Sequence, residues 1–132
     1  MEKRKNMNIS SFLMDQDIFA GIGNYIRNES LYLSKINPKT KNKTILDNDD
    51  SGEIVKDLYD NILFVAFSNL KTWFIEKRIH IPKQLEEKFP HNLQVPYVFN
   101  VYKKDKDQKG NNITEETTSG RKTYYVKSIQ TI

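Results

Sequence analysis

Cysteine is missing altogether from the 132 residues. Disulfides and thiolate metal centres are thereby excluded, and an intracellular setting is the expectation. Long apolar runs are missing too: nothing approaches the ~18 residues of a membrane span. Met1-Glu2-Lys3-Arg4-Lys5 leads into polar sequence without an apolar stretch, so no signal peptide is expected. Histidine is scarce. His80 and His91 stand alone, with no cysteine or carboxylate at ligand spacing, and are read as ordinary histidines rather than metal ligands. Hydrophobic residues make up 37% of the chain and charged ones 29%, so the core is modest and the solvated surface large, or one face docks on something else. Acidic residues fall short of basic ones, 17 against 21, giving a net charge of +4. The sequence pI is near 9.2, a moderate basicity that favours a polyanionic partner.

What is present is organised around residues 12–31. Phe12, Leu13 and Gln16 fall at helical spacing, with Ser10 or Ser11 as the expected cap and the helix ending near Gln16. Gly21-Ile22-Gly23 is poor helix interior, because two glycines in three residues carry a large backbone-entropy cost. Asn24 then reads as the cap of a second helix that runs to about Lys35 and is stopped by Asn37-Pro38. Backbone N–H groups at Gly21, Ile22 and Gly23 would lie bare at a helix mouth, a ready site for an anion such as phosphate. Glu29 sits mid-helix among apolar neighbours and is read as a partnered, structural carboxylate.

Elsewhere the reading is plainer. Residues 1–8 are polar and basic: Lys3, Arg4 and Lys5 read as a solvated, frayed terminus or as a phosphate-contacting arm. Residues 39–50 read as a polar loop. The longest helix is expected over 51–74, started by Asp50-Ser51-Gly52-Glu53 and carrying two apolar rows: Ile54, Leu58, Ile62 and Val65, then Val55, Tyr59, Leu63, Phe67, Leu70 and Phe74. So wide a stripe makes it the expected spine of the core, with Trp73 and Phe74 inside. Residues 76–96 are irregular, broken by Pro82, Pro90 and Pro96. Residues 97–102 and 122–127 read as strands with turns at Gly110-Asn111-Asn112 and Ser119-Gly120, making a small hairpin unit that needs the helices or a ligand for support.

Asp15-Gln16, Ala20-Gly21-Ile22-Gly23-Asn24-Tyr25-Ile26, Glu29 and Leu31 resemble the helix–two-turn–helix motif of the formamidopyrimidine-DNA glycosylase / endonuclease VIII family. Gly120-Arg121-Lys122-Thr123-Tyr124-Tyr125 resembles that family's finger hairpin. The two motifs come in the family's order. The resemblance implies a fold that is mainly α with a small C-terminal β-hairpin: a helical domain over 1–95, with the helix–two-turn–helix at about 9–36, and a finger over 96–132. It covers the family's C-terminal half only.

By this resemblance Asn24 and Arg121 contact phosphates on either side of a flipped lesion, Gly21, Ile22 and Gly23 add backbone contacts, and Lys5 adds a basic arm. In related enzymes the finger arginine is also assigned as proton donor in δ-elimination, so Arg121 is the candidate catalytic residue. The implied partner is double-stranded DNA, damaged or abasic, and the implied location is with the DNA (nucleoid, nucleus or viral factory). Most relatives hold the finger with four cysteines on zinc. Val126 and Ile129 stand at the matching places of the last pair, so a zinc-less finger with no cofactor is expected, closed by groups such as Val126, Ile129 and Phe99. Family members also carry an N-terminal β-sandwich with a catalytic proline after the initiator methionine. This chain begins Met1-Glu2-Lys3, so that domain is read as absent and the chain as inactive alone. Three readings follow: the damaged-DNA binding part of a base-excision-repair glycosylase / AP lyase, truncated or split from a catalytic half that is then separately encoded; a stand-alone DNA-binding module without chemistry; and a helical interaction domain that has lost DNA binding.

Overall fold

The computed structural model describes residues 4–15, 23–118 and 120–132. In chain order the elements are α1 (Ile9–Leu13), α2 (Asn24–Leu33), α3 (Asn42–Asp47), α4 (Glu53–Glu76), α5 (Lys83–Glu86), β1 (Thr114–Thr118) and β2 (Arg121–Tyr125). The fold is mainly helical, with one antiparallel hairpin near the C-terminus.

The spine is α2, not α4. Every residue from 26 to 32 is buried, so this helix is enclosed on all sides. On one flank Ile9, Phe12 and Leu13 of α1, Ile45 of α3 and Leu58 of α4 gather around Leu31 and Ile36. On another, Tyr32 packs with Val101, Tyr124 and Val126. On the third, Ile26 meets Val65 of α4 and Tyr97. The longer α4 buries only Leu58, Val65 and Ser68, and one side of its wide stripe stays open. Trp73 is 46% exposed and Tyr59 60%, contrary to the expected core position of Trp73, while Phe74 is half-buried. One helix can lean on α2 with only part of its girth, and α4 has more apolar girth than that contact uses.

Several ends differ from the sequence-based expectation. Asn8, not Ser10 or Ser11, caps α1, its side chain accepting from the Ser11 N–H at 2.7 Å. Ser10 is buried instead. α2 stops at Leu33, and the chain turns through Lys35 at φ 60°. α4 is capped from further upstream than expected: Asp49 accepts from the Ile54 and Val55 N–H groups at 2.8 and 3.0 Å, and Gly52 makes the entry at φ 78°. The polar stretch 39–50 is not all loop, because α3 forms within it and buries Ile45. Residues 4–8 are held: the Asn42 amide donates to the Arg4 carbonyl, the Lys43 N–H to the Lys5 carbonyl, and Asn8 bridges to Lys41.

The largest correction concerns residues 97–102, which form no strand. The chain there wraps around one carboxylate. Glu29, fully buried, accepts from the Tyr97 hydroxyl at 2.5 Å and from the N–H groups of Asn100, Val101 and Tyr102 at 2.8, 2.8 and 3.1 Å, with the Asn100 amide at 3.2 Å. The expected structural role of Glu29 holds, on a larger scale than a single partner. The strand that pairs with β2 is β1, Thr-Glu-Glu-Thr-Thr, in register Thr114↔Tyr125 to Thr118↔Arg121. A second carboxylate clips the segment before β1. Asp107 accepts from the Tyr32 hydroxyl at 2.9 Å, from the Asn111 N–H and amide at 2.7 and 2.9 Å, and from the Lys109 N–H at 3.0 Å. Edge-on or tilted rings then join helix to hairpin: Phe64 to Tyr97 (6.3 Å), Tyr97 to Phe99 (5.5 Å), Phe99 to Tyr102 (5.4 Å) and Tyr102 to Tyr124 (5.7 Å).

Candidate nucleic-acid interface

The mouth of α2 meets the start of β2. Gly23 is the N-cap of α2 and has no side chain with which to cover the first-turn N–H groups. Its backbone, at φ −81° and ψ 173°, is open to any residue, and among the described residues a Cβ there would meet the Tyr25 ring at 3.6 Å. What glycine supplies at this place is an uncapped helix end rather than an unusual conformation. Asn24 is not the cap but the first residue of the helix. Its Nδ2 donates to the Lys122 carbonyl at 3.0 Å, and its Oδ1 accepts from Arg27 Nη2.

Arg121 opens β2 directly after Gly120, whose φ of 77° makes the turn. The Arg121 side chain is exposed. Asn24 bonds the carbonyl of the next residue, and the Arg121 charge is felt at Arg27, so the helix mouth lies close to the start of β2. Asn28 extends the seam, its Oδ1 accepting from the Tyr124 N–H at 2.8 Å and its Nδ2 donating to the Lys122 carbonyl at 3.4 Å. Arg27 lies beneath. Burial, first, and the charge of Arg121, second, pull its guanidinium down to about 10 from 12.5, so it is still charged at neutral pH.

Of the residues singled out in the sequence, Gly23, Asn24 and Arg121 come together here. Gly21 and Ile22 lie outside the described residues. Lys5 is exposed, and its described backbone contact is to Lys43 rather than to Asn24 or Arg121. Sequence reasoning missed Arg27 and Asn28. The signal was available: positions three and four beyond Asn24 on a helix lie over the same face.

At the places matching the last metal-binding pair, Val126 is buried against Tyr32, Val101 and Tyr124, and Ile129 packs on the same cluster. Phe99 belongs to the neighbouring cluster with Ile26 and Tyr97, one step removed from the closure expected of it. Among the described residues no group of three His, Cys, Asp or Glu side chains could hold a metal, and no helix is long and apolar enough to cross a membrane.

This arrangement of helix mouth and hairpin has known counterparts. The family profile "Formamidopyrimidine-DNA glycosylase H2TH domain" matches residues 1–72, more than half of the chain, and the chain belongs to that family. It is similar to the formamidopyrimidine-DNA glycosylase of Mycoplasma mobile, 32% identical over 129 residues, covering 97% of this chain and 44% of that protein. With the enzyme of Legionella pneumophila (strain Lens) the identity is 51% over 41 residues, 31% of this chain and 15% of that one. Among solved structures, a viral DNA glycosylase matches with TM-score 0.76 at 18% identity, over 98% of this chain and 41% of that one. Lactococcus lactis Fpg in complex with an abasic-site-containing DNA matches with TM-score 0.67 at 22% identity, over 98% and 45%. The chain thus spans less than half the length of these relatives. At such identities the structural likeness speaks for the fold.

Proposed function

We propose that this chain is the DNA-gripping part of a base-excision-repair glycosylase / AP lyase and that it holds backbone phosphates around a damaged or abasic nucleotide. The observation that carries the reading is the bond from the Asn24 amide to the Lys122 carbonyl, which sets the uncapped mouth of α2 beside Arg121. Two kinds of phosphate-binding group are then available together. The first-turn N–H groups of α2 point along the positive end of a helix dipole. The Arg121 fork is planar, permanently charged and matched to phosphate oxygens. Grip at two points steadies a kinked duplex, which helps meet the few kcal/mol that extruding a nucleotide costs. Lys5 adds a basic group nearby in sequence to α1. The match to glycosylases by profile and by identity supports the same reading. The bond-breaking step, including any proton transfer by Arg121, is assigned to these residues acting together with a catalytic domain outside them. No zinc or other cofactor enters.

Fluorescence anisotropy with an abasic-site duplex and its intact counterpart tests the proposal. Intact duplex is expected to bind with Kd on the order of 10⁻⁴ to 10⁻⁶ M, weakening steeply with salt. Asn24→Ala and Arg121→Ala together are expected to weaken binding of both duplexes at least tenfold. Unchanged affinity in a folded double variant overturns the assignment.

A further inference from the structure

Arg27 is fully buried, yet among the described residues no carboxylate bonds to it. Its Nη1 donates to the Ser10 hydroxyl of α1 and to Thr123 Oγ1 of β2 at 3.1 Å. Its Nη2 donates to Asn24 Oδ1 and to the Lys122 carbonyl at 3.1 Å. Its Nε is buried without a partner. Every acceptor is a neutral oxygen. A charge buried among neutral groups is an expensive way to hold three elements together; apolar side chains of similar volume do it more cheaply. The cost makes sense where the charge and the geometry serve a ligand.

The geometry is specific. With Asn24 Oδ1 held by the guanidinium the amide cannot flip, so Nδ2 keeps one hydrogen on the Lys122 carbonyl, which the guanidinium also holds, and its other hydrogen has no acceptor among the described residues. The same guanidinium holds the Lys122 carbonyl, which fixes the Lys122–Thr123 peptide one residue beyond Arg121. Ser10 ties α1 into the same fork. One side chain therefore sets both phosphate-binding groups of the proposed grip.

We propose that Arg27 is a positioning residue of the DNA grip: it orients the Asn24 amide and anchors the Arg121 end of β2, and its uncompensated charge raises the positive field where the phosphates lie. The inference rests on the proposed function above and goes beyond it in naming what makes the grip rigid.

The test uses the full 132-residue chain, with Arg27→Met, which keeps volume and removes charge and fork, and Arg27→Lys, which keeps the charge without the fork. Thermal unfolding, abasic-duplex affinity and the side-chain amide resonances of Asn24 are read together. Arg27→Met is expected to unfold at the same temperature as the parent chain or higher, to bind at least tenfold more weakly, and to shift the Asn24 amide pair. Arg27→Lys is expected to fall between, at about threefold weaker binding. Combining Arg27→Met with Asn24→Ala should weaken binding little beyond Asn24→Ala alone, because the two act through one amide. A folded Arg27→Met with parental affinity overturns the inference, as does full additivity with Asn24→Ala. Should Arg27→Met not fold, parental affinity in Arg27→Lys overturns it. A parent chain that binds no DNA at all sinks the proposed function instead, and is told apart from the first result by the parent measurement itself.

Discussion

Two residues apart on α2, Glu29 and Arg27 are both buried charges, and their surroundings are opposite. Glu29 receives hydrogen bonds from one hydroxyl, three backbone N–H groups and one amide, and the loop at 97–102 exists in its shape because of it. Among the described residues Arg27 donates to neutral oxygens alone, and its Nε is left unpaired. A saturated buried charge is a structural keystone: removing it strands all of its donors. An under-satisfied one gives up binding energy within the fold and keeps it for something outside. One helix thus separates the two tasks, holding the finger with its negative residue and aiming the grip with its positive one.

That contrast can be broken most forcefully at the carboxylate. Glu29→Ala is expected to destabilise the chain by about 3–5 kcal/mol, since three backbone N–H groups and the Tyr97 hydroxyl would be left buried without an acceptor. Urea unfolding followed by circular dichroism measures it. A loss below ~1 kcal/mol would make Glu29 no more structural than Arg27 and erase the difference. A smaller effect comes with pH. Tyr97 is held neutral well above its usual range by burial and then by the Glu29 charge, and Tyr32 is pushed up to about 12 by burial and then by its bond to Asp107. Folded tyrosines that keep their protons longer than unfolded ones lend stability below pH 10, and it is lost as pH rises through 12. Unfolding midpoints between pH 8 and pH 12 should fall accordingly, and the fall should shrink in Tyr97→Phe. The smallest effect belongs to charges outside the seam: breaking the exposed Lys56–Asp60 pair (2.6 Å) with Asp60→Asn is expected to leave both midpoint and DNA affinity unchanged.

The parts of the fold that could be read from sequence are those where periodicity and burial agree. α4 announces itself by helical spacing, α2 by its start at Asn24 and its stop at Asn37-Pro38, and Gly120 by its turn. α3 was hidden because, in Asn-Lys-Thr-Ile-Leu-Asp, only Asn42 and Ile45 are buried, too short a stretch for a period to show. β1 was hidden because Thr-Glu-Glu-Thr-Thr has no apolar alternation; its pairing with β2 gives it its shape. Residues 97–102 misled in the other direction, since aromatic and β-branched residues suit both a strand and a coil packed around a buried carboxylate. In the candidate site, Asn24 and Arg121 were visible through their motifs. Arg27 shares a helix face with Asn24, its one local partner, but its other partners are a carbonyl and two hydroxyls from distant segments, and sequence carries no mark of a missing counter-ion.

The file of rings from Phe64 to Tyr124 has a practical consequence. Its members meet at steep angles, from 56° to 79°, so each ring sits in an asymmetric field of its neighbours. Near-ultraviolet dichroism of the unlabelled chain therefore reports directly on whether the finger is seated on the helices, and any ligand that shifts the hairpin will write its arrival into that spectrum.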